Sequence, residues 1–348
     1  MSVAPRFSVV VPVYGNEQTL PAVISGLEKI AERLPGALEV VFVVDGSPDG
    51  SLGVLERLLP YASVAGQIVV HSRNWGSFPA IRTGLSAVRG EFIGVMAADL
   101  QEPPELMEQF FSALLFGQVD VVVGRRESRD DPAVSSLMSR MFWGSYRRVV
   151  NREIPPGGVD VFGCTAEVAK QLLELNESHS SLVGLLYWVG FRRLEVPYAR
   201  AARNDGRKSG WSLRKRVGYL MDSVFSFTAI PITVLGVTGG IGLLVTVAVA
   251  VLVLVSRLTG RVTSLGYTPL MLVILFSMFM VLFALSVIGS YVWRAYENSK
   301  QRPVAIAASR QFFDADNHHC TVNVPRRTTN HQADRRPTAR SGSHTTHT

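Results

Sequence analysis

The sequence predicts an α/β protein built on a largely parallel sheet, followed by two apolar helices long enough to cross a membrane. Short β-branched apolar runs alternate with stretches of helical periodicity from residue 7 to residue 123. Each apolar run ends in turn residues, and in open parallel sheets such turns gather beyond the carboxyl ends of the strands, where ligands bind. Near the other end, residues 231–255 and 269–293 contain no Asp, Glu, Lys or Arg.

Residues 7–13 (Phe-Ser-Val-Val-Val-Pro-Val) and 38–44 (Leu-Glu-Val-Val-Phe-Val-Val) read as strands buried on both faces. Between them, residues 17–34 place Leu20, Val23, Ile24, Leu27 and Ile30 on one face of a helix. The alternation continues at 67–71, 80–88, 92–96, 105–116 and 119–123. Loops beginning at Tyr14, Asp45, Asp99 and Gly124 are therefore expected to face one pocket.

A helix rising 1.5 Å per residue crosses a hydrocarbon core of about 30 Å in about 20 residues, so each charge-free stretch is expected to span. The chain then divides into a folded domain at 1–210, a juxtamembrane helix at 211–230, spans at 231–255 and 269–293 with an external loop at 256–268, and a tail at 303–348. Arg207, Lys208, Arg214, Lys215 and Arg216 before the first span, with Arg294, Lys300 and Arg302 after the second, outnumber Arg257 and Arg261 in the loop. The positive-inside bias places the folded domain and both termini in the cytoplasm, with Tyr267, Tyr291 and Trp293 as interfacial anchors. Within 211–230, Leu213, Val217, Leu220, Val224 and Phe225 recur at helical spacing beside a basic end. That pattern suits an amphipathic helix lying on the membrane, with an ordinary domain helix as the alternative. From Pro303 onward the chain is polar, holds five of the seven histidines, and is expected to be disordered.

Composition narrows the partners. Over 348 residues, 35 Lys and Arg against 28 Asp and Glu leave a net charge of +7, which favours phosphates, anionic lipid or nucleic acid without choosing among them. Cys164 and Cys320 have neither metal-ligand nor redox spacing, which argues against a zinc site or a disulfide framework and fits a reducing compartment. The first residues lack the basic, apolar and small-residue regions of a secretory signal, so the first domain is expected to stay in the cytosol.

A recognisable order then emerges: Val-Pro-Val-Tyr-Gly-Asn-Glu (11–17), Val-Asp-Gly-Ser-Pro-Asp-Gly-Ser (44–51), Ser-Arg-Asn-Trp-Gly (72–76) and Ala-Asp-Leu-Gln-Glu-Pro-Pro-Glu (98–105). Over about residues 5–300 the chain resembles family 2 glycosyltransferases of the GT-A fold, a Rossmann-like mostly parallel sheet. Within them it is most similar to the polyprenyl-phosphate group, which includes dolichol-phosphate mannosyltransferases and bacterial undecaprenyl-phosphate glucosyltransferases. The resemblance implies inverting transfer of a hexose from UDP-glucose, a similar nucleotide-sugar or GDP-mannose to polyprenyl (undecaprenyl) phosphate at the cytoplasmic face, for cell-envelope glycan. It implies a Mg²⁺ or Mn²⁺ cofactor and membrane lipid as a partner, no nucleic acid, and compatibility with a homo-oligomer packed through the membrane helices.

Carried over residue by residue, the resemblance puts Pro12, Tyr14 and Glu17 against the nucleoside and Asp45 against the base. The metal motif Asp-X-Asp followed by Gln falls on Ala97, Asp99 and Gln101, so its first aspartate is missing; Asp99 and Gln101 are left as oxygen donors. Asp160, in Gly-Gly-Val-Asp-Val-Phe-Gly, matches the family's aspartate near the acceptor. Arg125 and Arg203 match phosphate-binding positions best, and Arg129, Arg140, Arg207 and Lys208 are further cations for the acceptor phosphate or leaving diphosphate. Asp99, Asp160, Arg125 and Arg203 are thus the expected catalytic set. His71 and His179 read as structural. Two other readings stay open: transfer to another lipid acceptor, for which Asp160 would have to be a true base, and a catalytically silent membrane protein that binds nucleotide-sugar.

Overall fold

The computed structural model describes residues 4–128, 144, 146–148, 151–155, 158–177, 180–200, 213–259, 267–314 and 319–322. The first strands, β1 (Phe7–Val13), β2 (Leu38–Val44), β3 (Ala65–His71) and β4 (Phe92–Val95), pair in parallel in the order β4-β1-β2-β3. Their valines serve both faces, as period-two side chains in a covered sheet must. Val9, Val11, Val13, Val40, Phe42 and Val44 pack on one side, and Val10, Val41 and Val43 on the other.

Helices α1 (Leu20–Ala31), α2 (Ser51–Leu58) and α4 (Glu105–Leu115) cover the first side. The predicted face of α1 is the buried one: Leu20, Val23, Ile24, Leu27 and Ile30 all enter the core. Phe110 and Phe111 of α4 are fully enclosed, each side chain contributing about 1.5–3 kcal/mol by leaving water. Helices α3 (Ser77–Leu85), α5 (Ala166–Glu174) and α6 (Leu182–Trp188) cover the second side. Gly84 lets α3 approach β1 closely, because a Cβ there would lie 2.2 Å from Val10 Cγ1.

Strands β5 (Val121–Ser128), β6 (Phe162–Thr165) and β7 (Arg193–Ala199) extend the sheet beyond β4 in the order β4-β6-β5-β7. Strand β6 is antiparallel to both neighbours, so β5 and β7 point the same way as β4 and end on the same edge. Pairing with β7 prolongs β5 to Ser128, which corrects the expectation of a loop starting at Gly124. The residues after Val123 consequently alternate between faces.

After β7 come α7 (Leu213–Phe227) and two long helices, α8 (Ile230–Leu258) and α9 (Tyr267–Ser299). Both are long and apolar enough to cross a membrane. They expose large apolar side chains such as Leu244 and Phe279, and they extend past the expected spans at both ends.

Two boundaries are corrected. First, α7 belongs to the folded domain as much as to the membrane region. Its Tyr219, Leu220 and Phe227 pack on the second core, and Gly184 of α6 lies flush against Phe227, where a Cβ would sit 2.3 Å from the ring. Ser181 hydrogen-bonds both Tyr146 and Tyr219, and the two tyrosine rings stack at 5.8 Å. Toward α9, Asp222 pairs with Arg294 at 2.8 Å, and Phe225 meets Tyr291 at 5.2 Å. Of the apolar stripe that was expected to face lipid, Leu220 thus packs on this core, Val224 is buried and Phe225 meets α9, as an ordinary domain helix would have them.

Second, the segment after Pro303 is not wholly disordered. It forms β8 (Ala307–Phe313), antiparallel to β3, and β9 (His319–Val322), which bring the sheet to nine strands among the described residues. The reason is a buried polar network that composition does not reveal. Glu39 is fully enclosed and accepts from Ser8 Oγ at 2.7 Å, Gln67 Nε2 at 3.0 Å and Arg89 Nε at 2.7 Å. Arg310 of β8 then donates to Gln67 Oε1 at 2.6 Å and to the Ala87 carbonyl at 3.0 Å. Arg310→Ala is expected to lower the stability of the domain by about 1–3 kcal/mol, read as a lower thermal midpoint in detergent. An unchanged midpoint would remove this network as the reason for β8.

Candidate active site

The carboxyl ends of the parallel strands are stitched together by their own loops. After β1, Tyr14 is 53% exposed while the loop backbone is fixed from β2: Gly15 N–H donates to Ser47 Oγ at 2.7 Å and Asn16 N–H to Ser51 Oγ at 3.1 Å. Glu17 Oε2 accepts from Gly50 N–H at 2.9 Å, and Asp49 returns the link by accepting from Glu17 N–H at 3.1 Å. Burial raises the Asp49 carboxyl, but hydrogen bonds from Ser47, Ser51 and the two backbone groups outweigh it and lower the pKa from 3.8 to about 2. Asp49 therefore supports this turn above about pH 4, and that support fades as pH falls toward 2. Thr19 Oγ1 reaches the Ala98 carbonyl at 2.5 Å and so ties the β1 loop to the segment after β4.

Asp45 has a structural task that the sequence did not show. Its carboxylate is nearly enclosed and accepts from Trp75 N–H and Gly76 N–H, each at 2.8 Å, while His71 Nδ1 lies 2.8 Å from Oδ1. The other ring nitrogen of His71 meets Thr83 Oγ1 at 2.9 Å. Asp45 therefore clamps the Ser-Arg-Asn-Trp-Gly loop, with both of its oxygens engaged by that loop. Gly46 makes the approach feasible: its φ is +59°, and a Cβ would lie 2.4 Å from Asn74 N. On that loop the Arg73 guanidinium stacks 3.6 Å from the Trp75 ring centre.

The second cluster surrounds the altered metal motif. Gln101 N–H donates to Asp99 Oδ1 at 3.2 Å, and Leu100 between them adopts φ +57°, an unfavourable conformation for a leucine that holds both side chains on one tight turn. Arg200, just past β7, donates to Gln101 Oε1 at 2.6 Å and lies 3.5 Å from Glu102 and 3.7 Å from Asp160. Arg126 of β5 forms an ion pair with Asp160. Glu102 is 1% exposed, and neither of its oxygens accepts a hydrogen bond among the described residues. Burial and the nearby Asp99 charge push its carboxyl up, against the pull of Arg200 and Arg126. Burial and the neighbouring Arg200 likewise lower Arg126, while Tyr198 beside it is raised by burial.

The strand geometry decides between two adjacent arginines. Arg126 and Asp160 meet on the α4 side of the sheet, whereas Arg125 points the other way and pairs with Glu195 at 3.4 Å near the sheet edge. Arg125 was one of the expected phosphate ligands, and the structure places it on the face away from the Asp160 cluster. Reading β5 one turn longer, with its period of two, would have favoured Arg126. Arg200 and Glu102 were missed, because a single arginine at a strand end and a glutamate before two prolines carry no distinctive pattern. Pro12 is a β1 residue paired with Val43, two residues before Tyr14. Arg129, Arg140, Arg203, Arg207, Lys208 and His179 lie outside the described residues.

The donor set can be tested for a divalent cation. Among the described residues no group of three or more His, Cys, Asp or Glu converges on one point. Asp99 and Gln101 offer a carboxylate and an amide oxygen on one turn, and the amide oxygen already holds a positive charge, that of Arg200. Oxygen donors that few in number suit Mg²⁺ or Mn²⁺, which keep waters and complete their shells with substrate phosphates. The residues present therefore fit such an ion.

Comparison with known proteins follows the same lines. Residues 8–174 match the model of glycosyl transferase family 2. An uncharacterized glycosyltransferase of Synechocystis, sll0501, is 30% identical over 305 residues, covering 87% of this chain and 95% of its own. The undecaprenyl-phosphate 4-deoxy-4-formamido-L-arabinose transferase of Proteus mirabilis is 27% identical, covering 86% of this chain and 91% of its own. The bactoprenol glucosyl transferase of Shigella phage SfV is also 27% identical, over 86% of this chain and 96% of its own.

The Asp45 clamp makes a definite prediction. Asp45→Asn places an NH₂ donor against His71 or a backbone N–H, and is expected to cost about 1–3 kcal/mol and to speed tryptic cleavage after Arg73. A variant matching the wild type in both thermal midpoint and cleavage rate would contradict the clamp.

Proposed function

The chain belongs to glycosyl transferase family 2, and from that premise we propose that it transfers a hexose from a nucleotide-sugar to polyprenyl phosphate, inverting the anomeric carbon, at the cytoplasmic face of a membrane. The observation that carries the acceptor is the pairing of Asp160 with Arg126, with Arg200 close by, on the edge from which the apolar helices depart. A carboxylate so engaged by cations is poorly suited to strip a proton from a lipid hydroxyl. An acceptor phosphate needs no such base, since its second pKa is near 6 and it is already a competent nucleophile at pH 7. Two relatives whose names specify undecaprenyl phosphate and bactoprenol add support.

In this reading Tyr14 offers its exposed ring to the nucleoside, while Glu17, Asp45 and Asp49 keep the loops beneath it in register. Asp99 and Gln101 would hold Mg²⁺ or Mn²⁺, which when bound supplies charge neutralisation for the departing diphosphate. Arg126 holds Asp160 in place and presents its fork to phosphate oxygens, oriented for attack in line with the leaving group. Arg203, with Arg129, Arg140 and Lys208, belongs to the same proposal as further phosphate contacts.

The test incubates purified membranes containing the protein with undecaprenyl phosphate, Mg²⁺ or Mn²⁺, and labelled UDP-glucose, UDP-galactose, UDP-N-acetylglucosamine or GDP-mannose. Label is expected in the lipid extract with one of these donors. Arg126→Ala is expected to lower the rate by about a hundredfold or more, whereas Arg125→Ala should keep most of it. Lipid free of label with every donor would overturn the acceptor, and equal losses in the two arginine variants would overturn the assignment of Arg126.

A further inference from the structure

We propose that Arg200 is the resident cation of the metal site, holding the Gln101 amide oxygen in the donor-free enzyme and yielding it when a divalent ion binds. The inference rests on the reading that Asp99 and Gln101 are the ion's protein ligands. Arg200 Nη2 lies 2.6 Å from Gln101 Oε1, a short charge-assisted contact made to the very atom an ion would need. The same guanidinium faces Glu102 at 3.5 Å and Asp160 at 3.7 Å, so three acidic or amide groups from two separate segments converge on it.

Glu102 is what keeps Arg200 there. Its side chain is 1% exposed and no side chain donates a hydrogen bond to it among the described residues, so it depends on the nearby guanidinium groups, Arg200 first and Arg126 after it. Ala97 sharpens the competition. Without the first aspartate of the motif, the site lacks one negative charge that would favour a divalent ion over Arg200. The nucleotide diphosphate brings negative charge of its own, so the ion is expected to enter with the donor rather than ahead of it. Once Gln101 is released, Arg200 still faces Glu102 and Asp160, and Nη2 is free for a phosphate oxygen. Arg200 thus links the donor turn after β4 to the acceptor aspartate before β6.

The experiment measures Mn²⁺ binding to the full-length, detergent-solubilised protein without sugar donor or acceptor, from the electron paramagnetic resonance signal of free Mn²⁺. Arg200→Ala is expected to bind Mn²⁺ about tenfold more tightly than wild type, the worth of one lost charge-assisted hydrogen bond. Arg200→Gln, which keeps length but not charge, should also bind more tightly and serves if the alanine variant fails to fold. Adding Asp99→Ala to either should abolish the gain. Equal or weaker binding in the Arg200 variants, including no binding by any form, overturns the proposal, as does a gain that survives Asp99→Ala. No lipid or sugar enters this assay, so its failure is distinct from a failure of the polyprenyl-phosphate reading.

Discussion

The pairing of β8 with β3 is the constraint on which the remaining arrangement depends. The chain leaves the sheet at the end of β7 and rejoins it at the start of β8, with Ser72 N–H bonded to the Ile306 carbonyl at 2.9 Å. Strand directions put both points on the edge where β1, β2, β3 and β4 end. The long helices α8 and α9 are therefore hung from the same edge that carries Tyr14, Asp45, Asp99 and Asp160. The return strand is locked by Arg310, Gln67 and Glu39, and the departing one by the docking of α7 on α6 and by Asp222 with Arg294. In the proposed reaction, a hairpin tethered at both feet beside the site would bring a lipid phosphate to that edge once the helices sit in a bilayer.

Charge on that edge is arranged in two layers. The loops after β1 and β2 are held by backbone and hydroxyl donors to Asp45, Asp49 and Glu17, which fixes shape without drawing on arginine. The cluster at the ends of β4, β5 and β7 instead balances Asp99, Glu102 and Asp160 against Arg126 and Arg200, in a partly buried setting where such contacts are stronger than in water. The strained Leu100 turn is the local cost of aligning Asp99 with Gln101.

The elements most legible in the sequence were those whose burial is periodic. Strands β1 and β2 and the inward face of α1 follow directly from runs of valine and from Leu20 through Ile30. Ordered motifs named the strand-end loops, and Ala97 disclosed the incomplete metal motif. What composition could not show were long-range polar partners. Arg310 looks like one charge in a polar tail until Gln67 and Glu39 are beside it, 243 residues away for Gln67. Arg125 and Arg126 are equivalent as letters, and only the pairing of β5 with β7 decides which one meets Asp160. The clamping role of Asp45 was also hidden, because its hydrogen-bond partners come from the loop after β3 and from His71 at the end of that strand.

The claim that the hairpin crosses the membrane and returns to the catalytic sheet can be tested by sided labelling. Tyr61→Cys on the domain and Ser264→Cys between α8 and α9, each in a chain whose two native cysteines are replaced, would be exposed to an impermeant maleimide in spheroplasts and in inverted vesicles. The account predicts that the domain cysteine labels only in inverted vesicles and the hairpin cysteine only in spheroplasts. Labelling of both from the same side would contradict it.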